Sequence, residues 1–441
     1  MITLDHKPHF SDATNAWIKE QCLSVPHFVP PSPAAVLGNT AKQSGHFDGS
    51  SSQTTRKTLF KHQRSAAELL GSGSRTGLCL WAVASKEYGV DVIHNFAEKK
   101  SRFNGLQTCG SVWACPCCSA KISSKRCDEM NKLLAWSRRK GYSVVMLTLT
   151  TRHDKKDDLL ELLNQLKAAK HRFSSHRAYK AFKKKLIGSV TATEIQGGGW
   201  NGWHPHFHLI LVLDMSQEDA IVETEKLRSA WLSSLESQGL SGTDAAFDVQ
   251  DATFAGKYIA KFGAAEELTL SKTKKSRGSG SRNPFQLLAD YSEHGDKHAG
   301  QLFKEYASVF KGRQQLVWSN GLKKMAQVEV LTDDEVAELD DLKACDEKIG
   351  HLTPTEWKTV RHERAGILTM SEKAGPDGVD TFVRIVQKKF RADMKALKAK
   401  GLLKPAAPDL VPKPRPPRPK AKSPEVKKMP DLDFGVSGAC P

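Results

Sequence analysis

Residues 203–213 read Trp203-His204-Pro205-His206-Phe207-His208-Leu209-Ile210-Leu211-Val212-Leu213, with three histidines in five residues and an unbroken apolar run behind them. Side chains alternate faces along a strand, so His204, His206 and His208 share one face while Phe207, Leu209 and Leu211 take the other. Beyond His208 both faces are apolar, the pattern of a central strand covered on both sides. Upstream, IGSVTATEIQ (187–196) reads as a strand and GGGWNGW (197–203) as its turn, so the histidine strand returns along it as a hairpin. A second apolar β-branched run, YSVVMLTLTT (142–151), gives another central strand, and AAFDVQ a further one.

Helical periodicity separates these strands. SAKISSKRCDEMNKLLAWSRR (119–139) ends at Gly141, residues 155–186 are Lys-rich, 216–238 are amphipathic, and ATFAGKYIAKFG ends at Gly263. GLCLWAVA and VDVIHNF read as a pair of strands, and 57–70 as a short basic helix. Hairpins with separate helices point to an α+β fold, a central antiparallel sheet flanked by helices. Residues 28–56 are rich in Pro, Ser, Gly and Thr, which makes 1–56 a largely disordered N-terminal part. A globular domain follows over 57–320, then a helical C-terminal region over 321–400, and a disordered basic Pro-rich tail over 401–441.

The 441 residues carry 66 Lys and Arg against 49 Asp and Glu, a net charge of +17 that favours a polyanionic partner, nucleic acid first. No apolar run approaches the roughly 18 residues of a membrane span, and the N-terminus has no secretory pattern, so the expected location is the cytoplasm with no membrane partner. The basic stretch SKTKKSRGSGSRN and the tail are suited to sequence-independent phosphate contacts.

Three groups of residues carry chemistry. His206 and His208 form a two-imidazole donor pair, and the hairpin register brings Glu194 beside them. Two His and one carboxylate leave positions open for a phosphate oxygen on Mg2+ or Mn2+. In GKYIAKF, Tyr258 and Lys261 lie on one helical face. A tyrosine hydroxyl can attack a phosphodiester, and a neighbouring cation, Lys261 or Lys257, favours its phenolate. Alone, such a pair is ordinary packing and solvation; the upstream histidines give it force. Third, nine cysteines include Cys109, Cys115, Cys117 and Cys118 in CGSVWACPCC, and clustered cysteines in a chain without a signal peptide more often bind metal than pair. The C-x-x-C spacing of Cys115 and Cys118 suits zinc. With Cys109, a fourth ligand is required: Cys79 is the choice, Cys127 the competitor, and Cys117 the spare. Four thiolates leave no open position, so this zinc would be structural.

In order, these motifs resemble the HUH (His–hydrophobic–His) endonucleases, and more closely the initiator (Rep) proteins of plasmids that replicate by rolling circle. VMLTLTTRH (Val145 to His153) is similar to their first motif, HPHFH with Glu194 to their metal-binding strand, and KYIAKF to their tyrosine helix. The Cys-rich segment, within 77–127, and NPFQLL (Asn283 to Leu288) resemble segments of one subgroup. The resemblance spans roughly residues 60 to 320. It implies an HUH-type fold and nicking of one strand at a plasmid origin, with Tyr258 linked to the 5′ end. It further implies metal held by His206, His208 and Glu194, charge balance from Lys261, single-stranded DNA as an intermediate partner, and a host helicase and polymerase at the freed 3′ end. Two departures stand out. Phe254 and Phe262 occupy the places where relatives carry a water-activating glutamate or a second tyrosine. Asp251, Glu266, Glu267 or the second subunit of a homodimer are alternatives for that step. Competing readings are a transposase or relaxase of the same superfamily, and a non-enzymatic zinc protein that binds DNA.

Overall fold

The computed structural model describes residues 49–199, 202–251, 282–339 and 345–400, and these fall in one compact unit. The strands are β1 (Val90–Asn95), β2 (Lys100–Asn104), β3 (Ser143–Leu149), β4 (Leu186–Gly199), β5 (Gly202–Leu213), β6 (Phe247–Asp251), β7 (Leu316–Trp318) and β8 (Asp346–Leu352). Five of them form the central antiparallel sheet in the order β6-β3-β5-β4-β7. The α+β expectation, with its central antiparallel sheet, holds.

The sheet is covered on both faces, as the apolar runs require. Val145, Leu147 and Leu149 of β3 and Phe207, Leu209 and Leu211 of β5 pack under Leu166, Phe173 and Trp231 of the helices Leu159–Ser175 and Arg228–Glu236. The alternate residues, Val144, Met146, Ile210 and Val212, meet Met130, Leu133 and Trp136 of the helix Pro116–Lys140. That helix starts with Pro116 in its first turn and stops at Gly141 with φ 72°, a left-handed residue that glycine tolerates without a Cβ penalty. Arg138, Arg139 and Lys140 sit in its last turn, where they complement the helix dipole.

The expected helix over 216–238 is two, Gln217–Glu225 and Arg228–Glu236. NPFQLL opens the helix Pro284–His294 with a capping box between Asn283 and Gln286. This helix and Lys297–Val309 build a third core around the Cys-rich segment through Phe285, Phe303, Tyr306 and Phe310.

Three expectations are corrected. A helix, Gly49–Leu70, starts inside the stretch 28–56 read as a linker. GLCLWAVA is not a strand: Arg75–Leu78 is a helical turn capped by Ser74, and Leu80 takes a φ of 48°, which no extended strand permits. Its partner VDVIHN does form β1, but between β2 and β8. The stretch 321–400 is helical over Pro354–Val360 and Arg364–Ala399 but is not helix throughout. It supplies β8 to the β2-β1-β8 sheet, and its helical stretch Arg364–Ala399, broken at Gly375 (φ 59°) just before Pro376, buries Ile367, Val379 and Phe382. The tail 401–441 and the stretch 1–48 lie outside the described residues.

Candidate active site and metal centre

The hairpin register pairs Glu194 with His206, Ala192 with His208 and Gln196 with His204. The histidines thus share the sheet face that Glu194 occupies. His208 is the best ordered chemically: its Nε2 lies 2.9 Å from Glu194 Oε2 and its Nδ1 3.0 Å from Thr148 Oγ1. Thr148 is its cross-strand neighbour on β3. Thr150, one turn of the pleat further, places its hydroxyl 2.7 Å from His204 Nε2.

A fourth imidazole, His153, extends the row. Its ring stacks on His204 at 4.1 Å, His204 meets His206 at 4.0 Å, and His206 meets His208 at 5.8 Å. Burial, aided by the neighbouring imidazoles, lowers His204 to about 3. Burial also takes His206 down to about 4, against the opposing pull of the Glu194 carboxylate. Both rings are therefore neutral at neutral pH, the state in which imidazole donates a lone pair to a cation. His206 Nδ1 and His153 Nδ1 are buried with no hydrogen-bond partner among the described residues. A buried, unpartnered, neutral nitrogen beside a carboxylate suits a divalent ion. His208, in contrast, has both ring nitrogens engaged, so ligation through it requires Glu194 or Thr148 to let go.

Tyr258 and Lys261 lie outside the described residues, with Lys257, Phe254, Phe262, Glu266 and Glu267. The flanking residues are described. β6 runs beside β3 with Asp248 opposite Thr148 and ends at Asp251 opposite Val145. At the other end of the undescribed stretch Arg282 bridges Gly197, one residue beyond the Gln196–His204 pair.

The four cysteines read as ligands do converge. Cys79, Cys109, Cys115 and Cys118 are buried, and their sulfurs all lie within 4.8 Å of one another. Cys79 and Cys118 are 3.4 Å apart, and the Cys109–Cys118 and Cys115–Cys79 separations are both 3.6 Å. Tetrahedral thiolates at about 2.3 Å from an ion sit about 3.8 Å apart, whereas a disulfide needs about 2.05 Å. The group is thus sized for a metal ion. Hydrogen bonding among the four thiols pulls Cys118 well below the usual thiol range, while Cys79, Cys109 and Cys115 are raised. Gly110, at φ 60°, makes the turn between Cys109 and Cys115, and any Cβ there would strike the Asp334 side chain. Cys117 points away, with its thiol 3.8 Å from the Leu59 carbonyl, and Cys127 contacts Asn131 instead of the cluster.

Against this geometry, residues 100–365 match the family model described as Replication protein. The chain belongs to the replication protein family. The match covers the whole central sheet and three of the four clustered cysteines; Cys79 precedes it. The chain is also 25% identical over 350 residues to "Protein rep" of Streptomyces lividans, an alignment covering 62% of this chain and 76% of the relative. A shorter similarity, 26% over 136 residues, links it to a "Neomycin resistance protein" of Streptomyces cyanogenus, covering 25% of this chain and 31% of that one. No solved structure matches. The resemblance to plasmid Rep initiators drawn from the motifs is thereby borne out, and the chain is a plasmid replication initiator by family. No helix among the described residues is long and apolar enough to cross a membrane.

Proposed function

We propose that this replication protein starts rolling-circle replication by nicking one strand of a plasmid origin and holding the 5′ end as a phosphotyrosine on Tyr258. The observation that carries the reading is the unpartnered Nδ1 of His206 beside the Glu194–His208 pair. In this family such a donor set belongs to phosphate chemistry. His206, His208 and Glu194 would hold the ion, Mg2+ or Mn2+, which would polarise the scissile phosphate.

The chain's own groups supply the rest. The neutral imidazoles keep their lone pairs available, and Thr148 orients His208. Tyr258 stands seven residues after Asp251, the last described residue of β6. Asp251 is three residues from the level of His208 along the sheet, about 10 Å. Tyr258 supplies the attacking hydroxyl. Its hydroxyl gives up a proton, attacks phosphorus, and displaces the 3′ oxygen, which is protonated as it leaves. An ordinary phenol ionises near pH 10, so Lys261 serves to favour the phenolate. The freed 3′ hydroxyl is the primer for a host polymerase, with a host helicase unwinding ahead of it. The four-cysteine cluster holds a structural zinc. Because Phe254 and Phe262 offer no closing chemistry, the final rejoining draws on Asp251, Glu266, Glu267 or a second subunit.

The test is covalent capture. The full chain, incubated with single-stranded cognate origin DNA and Mn2+, is expected to yield a protein–DNA adduct that survives denaturation. The adduct disappears in Tyr258→Phe and falls sharply in His206→Ala. An adduct that persists in Tyr258→Phe assigns the nucleophile elsewhere. Origin binding with no adduct in any divalent ion sinks the nicking reading.

A further inference from the structure

The sheet face turned away from the histidines holds a cleft of about 660 Å3 between the helix Leu159–Ser175, strands β4 and β5, and the 310–317 connection. Thr193 and Phe207 form its floor. They are the chain neighbours of Glu194, His206 and His208, and alternation sends their side chains to the opposite face. Lys167, Lys170, His171 and Arg313 line the cleft, and no acidic side chain does. Lys170 Nζ rides 5.5 Å above the Phe207 ring.

Among the described residues, no carboxylate pairs with Lys167, Lys170 or Arg313, whose Nε is bound only to the Val309 carbonyl at 2.7 Å. Burial and the Arg313 charge push Lys167 below its usual value, and burial and Lys167 do the same to Lys170. Like charges gathered this way are unfavourable until an anion arrives.

A larger cavity of about 1010 Å3 shares Gly312, Arg313, Gln314 and Val317 with the cleft and shows the contrast. There three of the five lining cations are already matched, leaving Lys311 and the shared Arg313: Arg75 with Asp334 at 2.8 Å, Arg126 with Asp333 at 2.6 Å, and Lys323 with Glu129 at 3.1 Å. Volume favours the larger cavity, but charge favours the smaller. Lys167, Lys170 and His171 stand at helical spacings of three and four and so form a row along one helix face. Arg313 faces that row. A row of cations over an open cleft matches a chain of phosphates better than a single small anion.

We propose that this cleft binds the phosphodiester backbone of a single DNA strand, behind the sheet face that carries the histidines. It rests on the reading that the chain acts on origin DNA, and it adds a second hold on the strand outside the reacting site. Three-residue β7 is the sheet edge between the two faces, so a strand can pass around it.

The experiment is a salt series. Binding of a single-stranded oligonucleotide to the full chain is followed by fluorescence anisotropy for the wild type and for Lys167→Gln/Lys170→Gln/Arg313→Gln. Each phosphate contact on a single strand contributes about 0.7 to the slope of log K against log salt, so the triple variant is expected to lose about 2 from it. Lys170 is largely buried, so Lys167→Gln/Arg313→Gln guards against misfolding and should lose about 1.4. An unchanged slope in both variants, with the wild type binding, overturns the cleft and leaves the nicking reading intact. A wild type that binds no DNA under any salt fails at the earlier step and takes the cleft with it. Displacement from the cleft by inorganic phosphate, with the strand's slope unaltered, marks a small-anion site and also overturns the proposal.

Discussion

At the scale of single residues, His208 is held from two sides, by Glu194 on β4 and Thr148 on β3. Glu194 was legible in the sequence, because hairpin register is local and pairs residues close along the chain. Thr148, Thr150 and His153 were not legible as site residues. They come from the first motif, some fifty to sixty residues upstream, and only the β3–β5 pairing brings them in. The signal available was His153 itself, closing the run VMLTLTTRH. If His208 holds a metal as proposed, Thr148 has a positioning role, since a hydrogen bond to the far nitrogen of a ligating histidine fixes ring and tautomer, and losing one typically costs 10–100-fold in metal affinity or activity. Thr148→Val should therefore raise the Mn2+ concentration for half-maximal nicking by about tenfold. Oligonucleotide affinity measured without divalent ions should not change. Weaker DNA binding with an unaltered Mn2+ requirement would show a packing role instead.

At the scale of elements, the four-cysteine cluster ties the Arg75–Leu78 turn, the 109–115 loop and the start of the helix Pro116–Lys140 to one point. The ligand set was legible from spacing, while the conformation carrying Cys79 was not: an apolar octet with one tryptophan reads as a strand, and only the φ of Leu80 breaks it. One zinc per chain is expected by elemental analysis, lost in Cys118→Ser and kept in Cys117→Ser, because Cys117 faces Leu59. Zinc loss in Cys117→Ser would reassign the ligands. The β1–β8 pairing offers a pH test. Burial alone would raise Asp91, but hydrogen bonds from Lys348, His351 and Tyr88 prevail and hold it below its ordinary 3.8. Lys348 Nζ lies 2.8 Å and His351 Nδ1 2.7 Å from Asp91 Oδ1. A carboxylate depressed by folding contributes stability that is fully present above its unfolded pKa and is lost as pH falls through the folded one. Urea midpoints of the wild type should thus drop as pH falls below about 4, and the drop should be smaller in Asp91→Asn. Parallel curves for the two proteins would remove Asp91 from the acid response.

At the scale of the whole molecule, the central sheet was legible because strands covered on both faces must be apolar throughout, as β3 and β5 are. The second sheet was not. β8 is DEKIGHL, a largely polar, partly exposed edge strand, so its sequence carries no alternating apolar signal. Yet the segment after it closes the N-terminal part. Trp357, 1% exposed, donates from Nε1 to the Trp81 carbonyl at 2.9 Å. Arg364, 2% exposed, donates to the Leu80 carbonyl at 2.5 Å and to Gln63 Oε1 at 2.8 Å. Leu80 and Trp81 directly follow Cys79 of the four-cysteine cluster, so the C-terminal helices and that cluster hold the same short stretch of chain. Removing them strips β1 of a strand partner and leaves buried carbonyls unpaired, each costing about 1–3 kcal/mol. A chain ending at residue 345 should therefore be poorly soluble and zinc-deficient, with proteolysis beginning near residues 77–90. A chain ending at residue 400 is the control and should melt as the full protein does. If the 345 form keeps its zinc and a cooperative thermal transition, the C-terminal helices are an appendage and the central sheet folds without them.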